Sequence, residues 1–261
     1  MNRRMKFSKM NRRRFFWSLF FGVPGVALAD SHWIEPNWLK VRKIRLTKDK
    51  PTHRFVHFTD IHHKGDKKFL ESVVQEINQT SPDFVCMTGD IIEESEFLTE
   101  ALGILRGIKS PLYGIPGNHD YWSHADFAEI AETFAKTGGA WLVDEQATTR
   151  DGKLTLSGVG AKPPSSLQPN ARTKNLLMVH YPEWVERLTP NKFDAVLAGH
   201  SHGGQVRIPF YGAMIVPFGT GRYELGLFKT PAGPLYVSSG IGWFFVNLRF
   251  RCRPEIVVFD I

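Results

Sequence analysis

The chain has 261 residues, 42% of them apolar and 23% charged, a composition that excludes intrinsic disorder and predicts a packed core. It carries 33 Lys plus Arg against 26 Asp plus Glu, but Arg3, Arg4, Lys6, Lys9, Arg12, Arg13 and Arg14 all precede the first acidic residue, Asp30. Removing those seven leaves a neutral body, so a nucleic-acid groove, which needs clustered cations on the folded domain itself, is not expected.

In chain order, the basic arm is followed by Phe15 to Ala29, fifteen residues without a charge that end in Ala27-Leu28-Ala29. This is the anatomy of a signal peptide or membrane-targeting segment. It is shorter than the roughly 20 residues of a spanning helix, and Gly22, Pro24 and Gly25 weaken its helical continuity. The string Arg12-Arg13-Arg14-Phe15-Phe16 is similar to a twin-arginine export signal, with Asn11 and Trp17 departing from the usual pattern. The expectation is residues 1–29 as a targeting segment and 30–261 as one domain, exported, periplasmic or membrane-associated, with the export machinery as a partner. The alternative is a tether that leaves the domain facing the cytoplasm.

Val41, Ile44 and Leu46 predict an edge strand. Five short apolar runs then read as buried strands: Phe55 to Asp60, Asp83 to Asp90, Leu112 to Asp120, Leu176 to Pro182 and Phe193 to His202. Helical stripes over Lys67 to Thr80, Phe97 to Ile108 and Ala125 to Thr137 separate the first of them, an alternation that predicts parallel βαβ units. After Trp141 the helices thin out and LTLSGVG, QVRIP, YELGLF, PLYVSS and EIVVFDI predict a second half that is mostly sheet. Two face-to-face sheets with helices outside accommodate both halves. Cys86 and Cys252 are too few for a disulfide framework.

Each of the five runs ends in residues able to bind metal: Asp60 and His62, Asp90, Asn118 and His119, His180, then His200 and His202. In open α/β sheets, sites form where strands end and loops converge. Any one of these residues alone is an ordinary turn or core side chain, with His32, His53, His57 and His124 read as structural or surface. Together, Asp-x-His, Gly-Asp, Gly-Asn-His-Asp, a strand-terminal His and Gly-His-x-His form a ring of ligands. Mixed oxygen and imidazole ligands suit Mn, Fe or Zn, and the ligand count exceeds one tetrahedral ion, which predicts two ions sharing a carboxylate.

The order and spacing of these motifs, over about Phe55 to Ser239, resemble the calcineurin-like metallophosphoesterases. The resemblance implies a four-layer α-β-β-α sandwich with mixed sheets and two divalent metals. It implies Asp60, His62 and His202 on the first ion, Asn118, His180 and His200 on the second, and Asp90 bridging. It implies that His119 serves the leaving oxygen and that Asp120 orients it. GHSHGGQVRIP, SSGIGW and RCRPEIVVFDI resemble a bacterial branch that includes phosphodiesterases and UDP-2,3-diacylglucosamine pyrophosphatases of lipid A synthesis. The expected activity is therefore hydrolysis of a phosphodiester or pyrophosphate, with a lipid-linked nucleotide sugar, or an exported nucleotide, as substrate. The protein-phosphatase signature Gly-Asp-x-x-Asp-Arg-Gly is absent, since Ile91, Ile92, Glu93 and Glu94 follow Asp90. A non-enzymatic metal-binding scaffold is disfavoured because every motif is complete. Trp243, Phe244 and Phe245 read as buried sheet packing or as an exposed lip that contacts membrane lipid.

Overall fold

The computed structural model describes residues 11–162, 167–188 and 193–261. Its helices are α1 (Arg12–Ala29), α2 (Lys67–Gln79), α3 (Leu98–Leu105), α4 (Asn118–Trp122) and α5 (Phe127–Lys136). One six-stranded sheet uses β1 (Lys40–Arg45), β2 (Arg54–Phe58), β3 (Phe84–Met87), β4 (Leu112–Gly114) and β5 (Ala140–Trp141), together with the C-terminal strand described below. The second contains β6 (Glu145–Thr148), β7 (Leu154–Gly158), β8 (Lys174–Val179) and β9 (Ala195–Ala198). A small hairpin, β10 (Arg207–Ile208) and β11 (Gly212–Ala213), precedes β12 (Gly226–Thr230), β13 (Gly233–Val237) and β14 (Glu255–Asp260). The sheet orders are β1-β14-β2-β3-β4-β5 and β12-β13-β9-β8-β7-β6.

Both sheets are mixed, as expected. β2 to β5 run parallel while β14 pairs antiparallel with β2; β7, β8, β9 and β13 run parallel while β6 and β12 are antiparallel edges. Side-chain alternation along β2 explains the layering. Val56 and Phe58 pack under the helices with Leu70, Val73 and Ile77 of α2 and Leu102 of α3. Phe55, one position away, faces the second sheet, stacked between Phe84 and Phe259 at ring distances of 5.1 and 5.0 Å, among Leu156, Leu176, Met178 and Tyr236.

The outer face of the second sheet is covered, among the described residues, by the 3-10 turn Pro182–Arg187 and loops that bring Trp184, Val185 and Tyr223 onto Val196 and Leu235. Local capping fixes the helices as the stripes require: Asp66 accepts from the Phe69 amide and Asp126 from the amides of Ala128 and Glu129. Cys86 and Cys252 are both free and buried.

Three sequence expectations need adjustment. The run from Leu112 leaves the sheet after Gly114, and Asn118 opens α4 instead of ending a strand, because Pro116 and Gly117 break the ladder. The short edge strands β5 and β6 were not anticipated, since two- to four-residue strands carry no periodicity. Gly22, Pro24 and Gly25 do not interrupt α1, which is continuous over 18 residues. No helix among the described residues is long and apolar enough to cross a membrane. Residues Asp30–Asn37 then dock on the domain. The carbonyl of Ser31 accepts from the Arg249 amide at 2.9 Å, and the Glu35 carboxylate accepts from the amides of Arg251 and Cys252.

Candidate metal centre

The carboxyl ends of β2, β3, β8 and β9, with the N-terminus of α4, converge on one buried cluster. Asp60, His62, Asp90, Asn118, His180, His200 and His202 are each less than a tenth exposed. Five of them leave their strands in the left-handed region, with φ of +52° at Asp60, +43° at His62, +58° at Asp90, +67° at His200 and +49° at His202. Such backbone costs on the order of 1 kcal/mol or more for a side-chain-bearing residue and gathers at functional sites. Glycines make room beside it. A Cβ on Gly117 would collide with the Asp90 carboxylate, and one on Gly199 with Thr59 and Asp60, which explains the glycine of Gly-Asn-His and of Gly-His-x-His.

Three groups of ligand atoms result among the described residues, two built from the expected ligands and a third from His62, Glu93 and His119. In the first, one atom each of Asp60, His62 and His202 lies within 4.8 Å of the others; the second does the same with Asp90, His180 and His200. Asn118 joins the second, its Oδ1 at 3.0 Å from His180 Nε2. Asp90 stands between the two: its Oδ2 is 3.4 Å from His62 Nε2 and 3.2 Å from His180 Nε2, while Oδ1 accepts the His119 amide at 2.8 Å. The chain brings together every metal ligand expected from the sequence.

The orientation of the rings fits cations. His180 Nδ1 donates to the Thr88 carbonyl at 2.7 Å, His200 Nε2 to the Phe218 carbonyl at 2.7 Å, and His62 Nδ1 to Glu93 at 2.7 Å. Each of these three rings thus spends its outer N–H on a protein acceptor and turns the other nitrogen inward, the arrangement that prepares imidazole for metal, whereas His202 Nδ1 is buried without a hydrogen-bond partner among the described residues. Inward nitrogens then face one another, His62 Nε2 with His202 Nε2 at 3.1 Å and His180 Nε2 with His200 Nδ1 at 3.2 Å. Facing ring nitrogens beside buried carboxylates are a donor set for positive charge.

The electrostatics agree. Burial opposes a charged His62, but hydrogen bonds with Asp90 and Glu93 and the charges of Asp90 and Asp60 outweigh it and push its pKa up to about 9. Burial likewise opposes charge on His180, yet the charge and hydrogen bond of Asp90, with Asp60, raise it to about 9. Burial pushes Asp60 up to about 6, assisted by Asp90 and opposed by His180 and His62. His200, desolvated and beside His180, falls to about 3, so it offers a lone pair. The pocket thus favours positive charge at its centre.

One residue differs from its expected role, and another takes its place. Asp120 does not touch the His119 ring. Its oxygens accept the amides of Asp90, Ile91 and Gly117 at 2.9, 2.8 and 2.9 Å, because α4 buries it beneath the β3 turn. Glu93 occupies the position expected of Asp120. Its Oε2 lies 3.1 Å from His119 Nδ1 and 2.7 Å from His62 Nδ1, so one oxygen serves both rings. The signal for Glu93 was in the sequence, an acid three residues after Asp90 at the end of β3. His119 itself sits at the rim between Trp122 and Phe244, at ring distances of 4.9 and 5.8 Å. His57 bonds Thr88, His53 pairs with Asp151 and His63 with Glu100, none of them within the ligand cluster.

A two-sheet sandwich carrying two carboxylate-linked histidine clusters at its strand ends defines a metal-dependent hydrolase of phosphoesters, with two divalent cations as cofactors. Comparison with known sequences carries this to a family. The calcineurin-like phosphoesterase profile matches residues 53–204, and the chain belongs to that family. It is 29% identical to the uncharacterized metallophosphoesterase YkuE of Bacillus subtilis, over 97% of this chain and 98% of that protein. It is 26% identical to phosphodiesterase YaeI of Escherichia coli, over 88% and 91% of the two chains. It is also 26% identical to the UDP-2,3-diacylglucosamine pyrophosphatase LpxG of Chlamydia trachomatis, over 90% and 92%.

Proposed function

We propose that the chain hydrolyses phosphodiesters or pyrophosphates, and that its substrate is a lipid-linked nucleotide such as a UDP-diacylglucosamine. The observation that carries the hydrolytic reading is the placement of Asp90 Oδ2 between two histidine groups, at 3.4 and 3.2 Å. Asp60, His62 and His202 would hold one cation, Asn118, His180 and His200 the other, with Asp90 shared. Such a pair neutralises charge on phosphoryl oxygens and makes water acidic enough to supply hydroxide near neutral pH.

The chain's own residues supply the rest. His119 stands at the open side, fixed by its amide on Asp90 and its Nδ1 on Glu93, which leaves Nε2 to meet the leaving oxygen. Burial lowers its pKa, so a proton placed there is readily given up. Glu93 fixes which nitrogen carries it. Asp120 braces the backbone of Gly117 and Asp90 so that the carboxylate and Asn118 keep their spacing.

Support for a lipid-linked nucleotide comes from the LpxG relative and from the apolar side chains around the cleft; the YaeI relative supports a phosphodiester more generally. The basic arm and the apolar residues of α1 support an exported or membrane-associated location, reached through a twin-arginine signal. The test is turnover of bis(p-nitrophenyl) phosphate, p-nitrophenyl phosphate and UDP-diacylglucosamine by purified protein, with and without Mn. Metal-dependent cleavage of the diester or the pyrophosphate is expected. Activity confined to monoesters would overturn the substrate class.

A further inference from the structure

The region around the cleft is more apolar than packing explains. Ile208 to Gly219 form twelve residues without a charged side chain, running from the β10–β11 hairpin to Phe218, whose carbonyl holds His200. Phe210 at the hairpin tip is fully exposed (111%), Ile215 is 78% exposed and Phe218 93%. Phe245, on the loop after β13, is 85% exposed. Between them lies a groove of about 270 Å³ walled by Val206, Met214, Ile215, Pro217, Phe244 and Phe245, and it reaches His202. Phe210 and Phe245 both hold left-handed backbone, at φ +67° and +62°, an unusual conformation for a bulky aromatic residue. Scattered exposed apolar residues are ordinary, but a contiguous rim beside a site marks an interaction surface.

We propose that this rim docks on an anionic lipid bilayer, with Phe210 and Phe245 entering the boundary between headgroups and acyl chains, so that the metal cleft opens onto the membrane surface. The proposal deepens the lipid-substrate reading and rests on it. Two observations favour a bilayer over a protein partner. The whole formal charge excess lies in the seven basic residues ahead of Phe15, the last three of them opening α1, and is complementary to anionic headgroups. And α1 exposes Phe16, Trp17, Phe20, Phe21 and Val26, while the segment that follows it is bonded to the loop behind the rim: His32 Nδ1 to the Asn247 carbonyl at 2.9 Å, and Ser31 to Arg249. A fixed connector therefore joins two apolar elements. Of the nearby acids, Glu224 is paired with Arg207 at 3.2 Å at the root of the hairpin, and Glu183 donates its amide to the Gly219 carbonyl at 3.1 Å.

The experiment places a nitrobenzoxadiazole fluorophore on the full chain at Phe210→Cys, Phe245→Cys or Arg150→Cys. Both native cysteines are buried, and Arg150 lies near His53 and Pro111 at the opposite ends of the strands. Vesicles contain phosphatidylglycerol and phosphatidylcholine, or phosphatidylcholine alone, with doxyl-labelled lipid as quencher. The expected result is blue-shifted emission and quenching at 210 and 245, stronger with phosphatidylglycerol, and neither effect at 150. The unlabelled double variant Phe210→Ser/Phe245→Ser should partition to vesicles at least about tenfold more weakly, in line with the transfer cost of two aromatic side chains. Its turnover of a soluble diester should be unchanged, so loss of docking and loss of hydrolysis are read separately. Labels at 210 and 245 that stay unquenched while the protein sediments with vesicles would overturn the proposal and leave α1 as the sole anchor. Blue-shifted labels that depend on protein concentration, without lipid, would assign the rim to a second copy instead.

Discussion

Replacing Glu93 by Gln separates the two jobs of one carboxylate. Glu93 Oε2 accepts from His62 Nδ1 at 2.7 Å and from His119 Nδ1 at 3.1 Å. Burial works against its charge, but the hydrogen bond and charge of His62, with His119 and Lys64, hold its pKa below the usual glutamate range. It therefore acts as an anion at neutral pH, and Gln keeps its shape while removing the charge. Hydrogen bonds to charged partners contribute about 1.5–3 kcal/mol, and second partners of metal-bound histidines typically cost ~10- to 100-fold in affinity or activity. Glu93→Gln should thus weaken binding of the first cation by ~10- to 100-fold, through His62. At saturating metal it should also lower kcat by ~10- to 100-fold, through His119. The assay is a double-mutant cycle on kcat with metal saturated. In a His119→Ala background the Glu93→Gln effect on kcat should nearly vanish, whereas its effect on metal affinity should persist. A full-sized kcat loss in that background would refute the claim that Glu93 acts through His119.

Further outcomes follow from other residues. His119→Ala should cut turnover ~10²- to 10⁴-fold, the range of a positioned acid, while elemental analysis finds metal content unchanged; equal loss of metal would make it structural. Gly117→Ala should expel metal, because its methyl group collides with the Asp90 carboxylate, while the far-ultraviolet circular dichroism stays native; full metal content would contradict that steric reading. His57, wholly buried, has its pKa lowered by desolvation to about 3. Its contribution to stability is intact above the unfolded value near 6.5 and is lost progressively as pH falls from there toward 3, at about 1.4 kcal/mol per pH unit. Between pH 7 and pH 5 the native chain should accordingly lose ~2 kcal/mol more than His57→Leu, measured by urea unfolding; equal losses would show that His57 does not control the acid limb.

The sequence exposed those features that rest on periodicity and on strand-end chemistry. The apolar run from Phe55 to Asp60 predicts a buried strand, and the ligand positions fall where each such run stops. The roles that escaped it depend on geometry between segments. Whether Asp120 or Glu93 reaches the His119 ring is decided by the turn at Pro116-Gly117 that starts α4, whereas the resemblance implies Asp120 in that role. The carbonyls of Thr88 and Phe218 that orient His180 and His200 are backbone groups with no residue-type signature. β5 and β6 are too short to show alternation, and helix propensity alone underrated α1 across Pro24.

The central claim is that a shared carboxylate joins two cation sites. Equilibrium metal titration followed by elemental analysis, on the native chain and on Asp90→Ala, tests it most directly. Two divalent cations per native chain and neither retained tightly in Asp90→Ala is the expected result. A native stoichiometry of one, or an Asp90→Ala chain that keeps both, would contradict it.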